Sequence, residues 1–551
     1  MAQQTNDQLT SRLERLTISS SIGNQAISIT TIPLDVFEAI VKELPLFKDR
    51  LNLALSCRGV LKTMEKHLFH DVKFRVEGPE GVRGPRTLER FVHHKEAARV
   101  RQFIKSLWIV GHASGSEDME VDDADQTETG LQEADIHPGL RALLEALPKD
   151  SLHTLKLSAF SYNFMFGKLK DYLQNQSLAL KSLKLTVQTP YTRDDMFVRN
   201  LSRTLEVLTS LTDLEIWAHE FSILSFDNIF SSISGYRCLR RLVLSGIRFM
   251  EEEFLPSFSF HNSLEDLTLD LCVGISQFIK KLSSDGTRLR RFKGSFHTPR
   301  DSFAIWDFLQ QTSGLRELYA IFPAPLTLAD QFETGPTLVR IPYTDILQTH
   351  MGTLERLSIH RTYKDSHSLS IQRVADRVHR ITPDHDRADN EELVLLPQHC
   401  PKLMEYSHDG TLDQWIHSPN SHQIGHHNNL KLILVVLPDD ATDDLGELLV
   451  KAKKIATDIG RNQPRAPSLA FITVNTPQDT IPLEYKRYSW RIKWRRSNTT
   501  SKGYEPIVAG IRGTMSRALK EEGLWEEKCQ LGCTELEKLP TWTRHSYHKQ
   551  A

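Results

Sequence analysis

The sequence has little cysteine, no long hydrophobic run and almost no net charge, and each shortage closes a class of answers. Six cysteines in 551 residues (Cys57, Cys238, Cys272, Cys400, Cys529 and Cys533) are too scattered for a disulfide framework. No stretch reaches the roughly 18 apolar residues of a membrane span, and "MAQQTNDQLTSRLERLTISS" lacks the apolar core of a signal peptide. A protein of the cytoplasm, the nucleus or both is expected, with no membrane partner. The formal charge of -2 gives no global attraction for nucleic acid, so such binding would need a local patch.

Catalytic signatures are missing as well. "GPEGVRGPR" (78–86) has glycines but not the Gly-Lys-Ser/Thr ending of a phosphate-cradling loop. Cys529 and Cys533 form one C-x-x-x-C without a second pair, and the histidines of "HSPNSHQIGHH" (417–427), near His399 and Cys400, read as a polar loop. No nucleophile, base and orienting group occur as a set. We expect no catalytic residue, no metal and no cofactor.

What the chain does have is 39% apolar and 25% charged residues, the balance of a folded protein. Its length suits about three or four domains, or one repeat array with attachments. Residues 1–28 are polar and read as a disordered tail. "TIPLDVFEAIVKELPLFKDRLNLALSCRGV" (31–60) then predicts three short helices. Pro33 suits a first turn, Asp35 favours the macrodipole, and Val36, Phe37, Ile40, Val41 and Leu44 form one apolar stripe. Pro45 ends that helix, Asp49 opens a second with Leu51, Ala54 and Leu55, and Gly59 breaks before a third with Leu61, Met64 and Leu68. About forty residues bury too little surface to be comfortably stable alone. Such a unit either caps the rest of the chain or docks on another protein.

These residues resemble the F-box. Ile32-Pro33 stands for its Leu-Pro, Asp35 for the acidic residue, and Val36, Ile40, Val41 and Leu44 for its first helix. Asp49-Arg50-Leu51 and Leu53 to Arg58 complete the pattern without a gap, and "HLFHDV" (67–72) resembles the tail that follows fungal F-boxes. The departures are Ile32 for Leu, Arg50 for an apolar residue, Ser56 for Val, and Val60 where an aromatic is usual. The resemblance implies an adaptor of the Skp type, bound through Ile32, Pro33, Leu34, Val36, Ile40, Leu44, Leu51, Leu55 and Cys57, and through it a cullin scaffold.

The body repeats one short pattern: Leu, two residues, Leu, one residue, an apolar residue. It is clear at Leu152-Leu155-Leu157, Leu180-Leu183-Leu185, Leu211-Leu214-Ile216, Leu239-Leu242-Leu244 and Leu264-Leu267-Leu269. Weaker copies start at Leu289, Leu315, Leu354, Leu403, Leu430 and Leu469, and an earlier candidate is Ile104-Leu107-Ile109. From Leu152 to Leu315 the first leucines fall 28, 31, 28, 25, 25 and 26 residues apart, the signature of leucine-rich repeats. The second and third apolar residues point inward from a short strand, and the intervening residues return as convex helix or loop, "LSRTLEVLTS" (201–210) and "FIKKLSSDGT" (278–287) among them. The Asn that usually follows the strand is absent; Cys272 comes nearest to replacing it.

The expected fold is α/β: a three-helix F-box (29–75), then a curved parallel sheet with convex helices and loops in a divergent repeat array (76–475). An acidic loop (114–135) and a polar insertion (364–392) interrupt it, and a cap region (476–551), with a C-terminal helix read over "RGTMSRALKEEGLWEEKCQLGC" (512–533), closes it. Residues flanking the inward leucines, such as Lys156, Lys184, Glu215, Asp266, Asp270, Arg291, Lys293, Glu317 and Arg356, face a concave side of mixed sign, against a nucleic-acid track. Trp217, Arg241 and Tyr319 are its candidate contacts for an unknown protein substrate. In "EYKRYSWRIKWRRS" (484–497), Trp490, Ile492 and Trp494 alternate with Arg491, Lys493 and Arg495, predicting an edge or final strand with one aromatic and one basic face. A nucleic-acid or anionic ligand there is a lesser alternative, because the charges and the stacking surfaces point apart.

The function implied is that of a substrate-recognition subunit of a Skp–cullin–F-box ubiquitin ligase. A protein-interaction scaffold without a ligase role is the rival.

Overall fold

A computed structural model describes residues 34–510 apart from several internal stretches, the longest being 112–137, 324–342 and 363–396. The predicted tail, Ile32, Pro33, Cys57, the acidic loop, the polar insertion, most of the histidine-rich stretch, Cys529, Cys533 and the C-terminal helix lie outside the described residues.

Three helices open the described chain: α1 (Leu34–Lys42), α2 (Phe47–Leu55) and α3 (Arg58–Leu68). Gly59 lies inside the first turn of α3 rather than ahead of it, and α2 begins two residues before Asp49. Phe37, Val41, Ala54, Val60, Met64 and Leu68 form a small core between these helices, with Leu51, Leu53 and Phe69 packed at its margin. That core is separate from the large one of the repeats. The predicted stripe of α1 is therefore split. Phe37 and Val41, four apart, turn inward, while Val36, on the neighbouring line, is 46% exposed.

A single sheet of fifteen strands follows, every strand beside its neighbour in sequence. Its first thirteen strands are parallel: β1 (Asp71–Val76), β2 (Ser106–Gly111), β3 (Thr154–Phe160), β4 (Ser182–Gln188), β5 (Asp213–His219), β6 (Arg241–Ser245), β7 (Asp266–Asp270), β8 (Arg291–Ser295), β9 (Glu317–Pro323), β10 (Arg356–Thr362), β11 (Glu405–Asp409), β12 (Leu432–Val436) and β13 (Phe471–Pro477). Two antiparallel strands, β14 (Tyr485–Arg496) and β15 (Tyr504–Gly510), complete it.

The pairing register carries the leucine pattern from β2 to β13. One inward row runs Leu107, Leu155, Leu183, Leu214, Leu242, Leu267, Phe292, Leu318, Leu357, Tyr406, Ile433 and Ile472. All these side chains are buried, each leucine worth about 2 kcal/mol against exposure. The weak copies after Leu315 keep the same register as the strong ones. Where the second row would place a leucine on β8, Gly294 stands instead, and the Phe296 ring fills the space; a Cβ on Gly294 would meet it at 2.1 Å.

Helices close the inward face. Leu201 and Leu205 of α7 (Asp195–Val207), Phe278 and Leu282 of α9 (Ser276–Ser284), and Ile305 and Phe308 of α10 (Pro299–Gln311) join the same core. Helices α4 (Lys95–Arg101), α5 (Pro138–Ala146), α6 (Leu169–Gln174) and α8 (Phe226–Phe230) lie among the earlier repeats, and α11 (Tyr343–Leu347), α12 (Leu412–His417) and α13 (Leu445–Gly460) among the later ones. Helix α10 starts where its sequence directs: Thr298 Oγ1 accepts the Asp301 N–H at 3.1 Å, and Pro299 occupies the first turn.

Buried polar side chains at another position of the repeat pin the backbone between neighbouring strands. Gln176, 1% exposed, accepts the N–H groups of Ser151 and Leu152 at 2.9 and 3.0 Å and donates to the Pro148 carbonyl at 2.8 Å. His350 does the equivalent work several repeats later: Nδ1 accepts the Leu315 N–H at 3.3 Å, and Nε2 lies 2.8 Å from the Leu309 carbonyl. Each stands four residues before its own repeat's first leucine and holds the backbone entering the preceding strand. Cys272 Sγ bonds the Leu244 and Asp270 carbonyls at 3.5 and 3.4 Å, so the one residue suggested as an asparagine substitute does face strand backbone.

The sheet exceeds the expected array at both ends. It begins at Asp71, inside the segment assigned to the helical unit, because Val72 and Phe74 pair with Leu107 and Ile109. At the other end, β14 and β15 carry it past 475. Strand β14 is flanked on both sides and is neither an edge nor the final strand, because Tyr504–Gly510 pairs beyond it. Among the described residues no helix is long and apolar enough to cross a membrane.

Candidate functional site

Of the nine residues expected to meet an adaptor, Ile32, Pro33 and Cys57 lie outside the described residues, and Leu34 and Leu55 fall within α1 and α2. Val36, Ile40 and Leu44 follow one another at intervals of four, Val36 exposed and the other two half-buried. Leu51 sits at the margin of the small core rather than wholly on a surface. Arg50, which stands where the resemblance has an apolar residue, donates from Nε to the Leu44 carbonyl at 2.8 Å and so satisfies an acceptor near the C-terminal end of α1. Lys66 of α3 pairs with Glu38 of α1, and Arg99 of α4 pairs with Glu65 of α3, fastening the helical unit to the first repeat.

On the sheet face opposite the helices, seven adjacent strands carry charges of strictly alternating sign in one row: Asp213, Arg241, Asp266, Arg291, Glu317, Arg356 and Glu405. Neighbouring strands lie about 4.8 Å apart, within reach of an ion pair. Arg241 meets Asp213 at 3.0 Å and Asp266 at 3.5 Å, Arg291 meets Asp266 at 3.0 Å, and Arg356 pairs with Glu317 and lies 3.4 Å from Glu405. Burial raises the carboxyl pKa of Asp266 and of Glu317, with Arg291 and Arg356 respectively opposing most strongly. For Glu215 burial acts upward too, but Lys184 and Arg241 outweigh it and hold the group below the usual carboxylate range.

This row changes the standing of the three candidate contacts. Trp217 and Arg241 come together: Trp217 Nε1 donates to Glu215 at 2.6 Å, and Arg241 bonds the same carboxylate at 3.2 Å. Arg241 is thus engaged by three carboxylates. Tyr319 stands three strands further on, 4% exposed, clustered with Ile321. The three do not form one open site. Asp266, Asp270, Glu317 and Arg356, expected on the solvent side, are also buried, each shielded by paired neighbours.

Between β10 and β12 a hollow lined by Arg356, Ser358, Glu405, Ser407, Leu432 and Leu434 has room for about one water molecule. Beside it His360 Nε2 lies 2.8 Å from Ser358 Oγ and 3.0 Å from Ser407 Oγ. Such a hollow is too small for a small-molecule substrate. On β14, Trp490 and Ile492 are buried in the core, and the half-buried Trp494 donates its indole N–H to the Leu469 carbonyl at 2.8 Å. The basic side of this strand, with Lys493 and Arg495 exposed, therefore has no stacking surface from those three residues.

No protein-family model matches the chain, and no curated protein matches it. Among solved structures, it is similar to the leucine-rich repeat-containing protein LegL7 from Legionella pneumophila, at 12% identity and a TM-score of 0.26, over 70% of this chain and 97% of that one. The α/β solenoid character rests on the strand rows themselves.

Sequence reading named most of the charged row one residue at a time and missed its alternation. The signal was present: the residue before each repeat's second apolar position reads D, R, D, R, E, R, E from Asp213 to Glu405.

Proposed function

We propose that the chain is the substrate-recognition subunit of a Skp–cullin–F-box ubiquitin ligase, with α1 to α3 as the F-box and the repeat sheet as the surface that holds a target protein. One observation carries this reading: the three helices keep a core apart from that of the repeats and present Val36 to solvent at 46% exposure. A mere cap on the array would turn its apolar line onto the array.

In this reading the chain performs no bond chemistry. The helical unit holds the adaptor, and the rigid sheet, continuous from β1 to β15, fixes the distance to the bound target. Target lysines then stand at high effective concentration near a charged ubiquitin-conjugating enzyme. The self-paired charge row favours rigidity over charge-driven capture along β5 to β11. The rival, a scaffold without a ligase role, would keep the repeat surface and lose the adaptor.

Co-purification of the full chain with a Skp-type adaptor tests the proposal, alongside Val36→Glu. Val36 is exposed, so the variant is expected to fold, whereas a charge at Leu51 would disturb the small core. Capture by the parent and loss with Val36→Glu is the expected result. No capture by a folded parent would favour the scaffold.

A further inference from the structure

The sheet face opposite the helices is not uniform, and its first strands differ from the rest. The row that runs between the two inward rows begins Lys73, Trp108, Lys156, Lys184 on β1 to β4 and only then meets Glu215 on β5. Trp108 is 37% exposed, among the few large apolar side chains so placed among the described residues. Lysines flank it on both adjacent strands, with Lys73 Nζ 3.6 Å and Lys156 Nζ 5.7 Å from its ring centroid. Lys184 is held 2.6 Å from Glu215. Among the described residues neither Lys73 nor Lys156 meets a carboxylate. From β5 onward the same face is neutralised by its own alternating row and increasingly buried.

We infer that Trp108 with Lys73 and Lys156 is a docking site for an acidic peptide segment of a partner protein, one carrying an apolar side chain between its carboxylates. This deepens the substrate-receptor reading, on which its biological meaning rests, by naming the chemistry of the target. Charge complementarity selects the occupant. Two ammonium groups on either side of an exposed indole offer carboxylates two partners and an apolar side chain a surface, the combination that concentrates binding energy at protein interfaces. The lysines span two strand spacings, about 10 Å, a length a short extended peptide covers. A nucleic-acid strand is poorly served, since the basic run stops at β4 and the face beyond it is already neutralised by its own ion pairs, leaving no continued track for a polyphosphate backbone.

Fluorescence anisotropy of a labelled twelve-residue Asp/Glu-rich peptide containing one central leucine, titrated with the full chain, tests the inference. The expected result is saturable binding that weakens with added salt, at least ten-fold weaker with Lys73→Glu/Lys156→Glu and with Trp108→Ala. Lys493→Glu, an exposed lysine far along the same sheet, should leave it unchanged. Melting midpoints equal to the parent's show that the variants remain folded. Absence of binding by the parent overturns the inference, as does an equal loss with Lys493→Glu. Binding that emerges only after deletion of 114–135, with its run of Asp and Glu, overturns it too, since the chain's own acidic stretch would then be the occupant. Tighter binding of an oligouridylate to the same residues would likewise replace the peptide. Adaptor capture by the same preparations is read separately, so failure here is distinct from failure of the ligase reading.

Discussion

Arg241 on β6 lies 3.0 Å from Asp213 on β5, the first contact of a charge row that crosses seven strands without two like signs side by side. A parallel sheet of short, divergent strands risks slipping, and like charges on neighbouring strands penalise any register that brings them together. Arg241→Asp would set a fourth carboxylate among Asp213, Glu215 and Asp266. With Arg241 partly exposed, the expected loss is about 1–3 kcal/mol, read as a fall in melting midpoint. An unchanged midpoint would mean that the row is ornamental.

His350 makes stability depend on pH. Burial pushes its imidazole below the ordinary 6.5, more than the Leu309 carbonyl raises it, so the folded chain prefers the neutral ring. A group whose folded pKa lies below its unfolded value binds fewer protons when folded. Its contribution is whole above about pH 6.5 and is lost as the pH falls from there through the folded value. His350→Gln should keep the pin, as Gln176 does, and remove that share of the acid sensitivity. The check is the difference between the urea midpoints of parent and variant from pH 7.5 to pH 5. Parallel curves would contradict the assignment.

Gly294 gives a counterintuitive case. Gly294→Leu restores the repeat pattern yet places side-chain atoms where the Phe296 ring already lies. Overpacking of this kind costs about 1–3 kcal/mol. The variant should melt below the parent, and Gly294→Leu/Phe296→Ala should recover part of the loss.

The repeat core was legible because two inward positions per strand suffice to mark it, even in copies as poor as Tyr406-His408. Strand β1 escaped because Val72 and Phe74 lack a leading leucine and sit in a segment that also resembles an F-box tail. Strand β15 escaped because Pro506 interrupts its pattern, tolerable only at an edge. The burial of Tyr319 was illegible for a different reason: it depends on what lies across strands some forty residues apart, and spacing along one repeat does not carry that. The face of α1 was half legible. Helical periodicity groups Val36 with Phe37, and only packing against α2 and α3 separates them.

Calorimetric titration of the full chain with a purified Skp-type adaptor tests the central proposal most directly. The expected result is a one-to-one complex with a negative heat-capacity change, as burial of apolar surface requires, and at least ten-fold weaker binding with Val36→Glu. Absence of binding by a folded parent, or equal affinity in the variant, would contradict it.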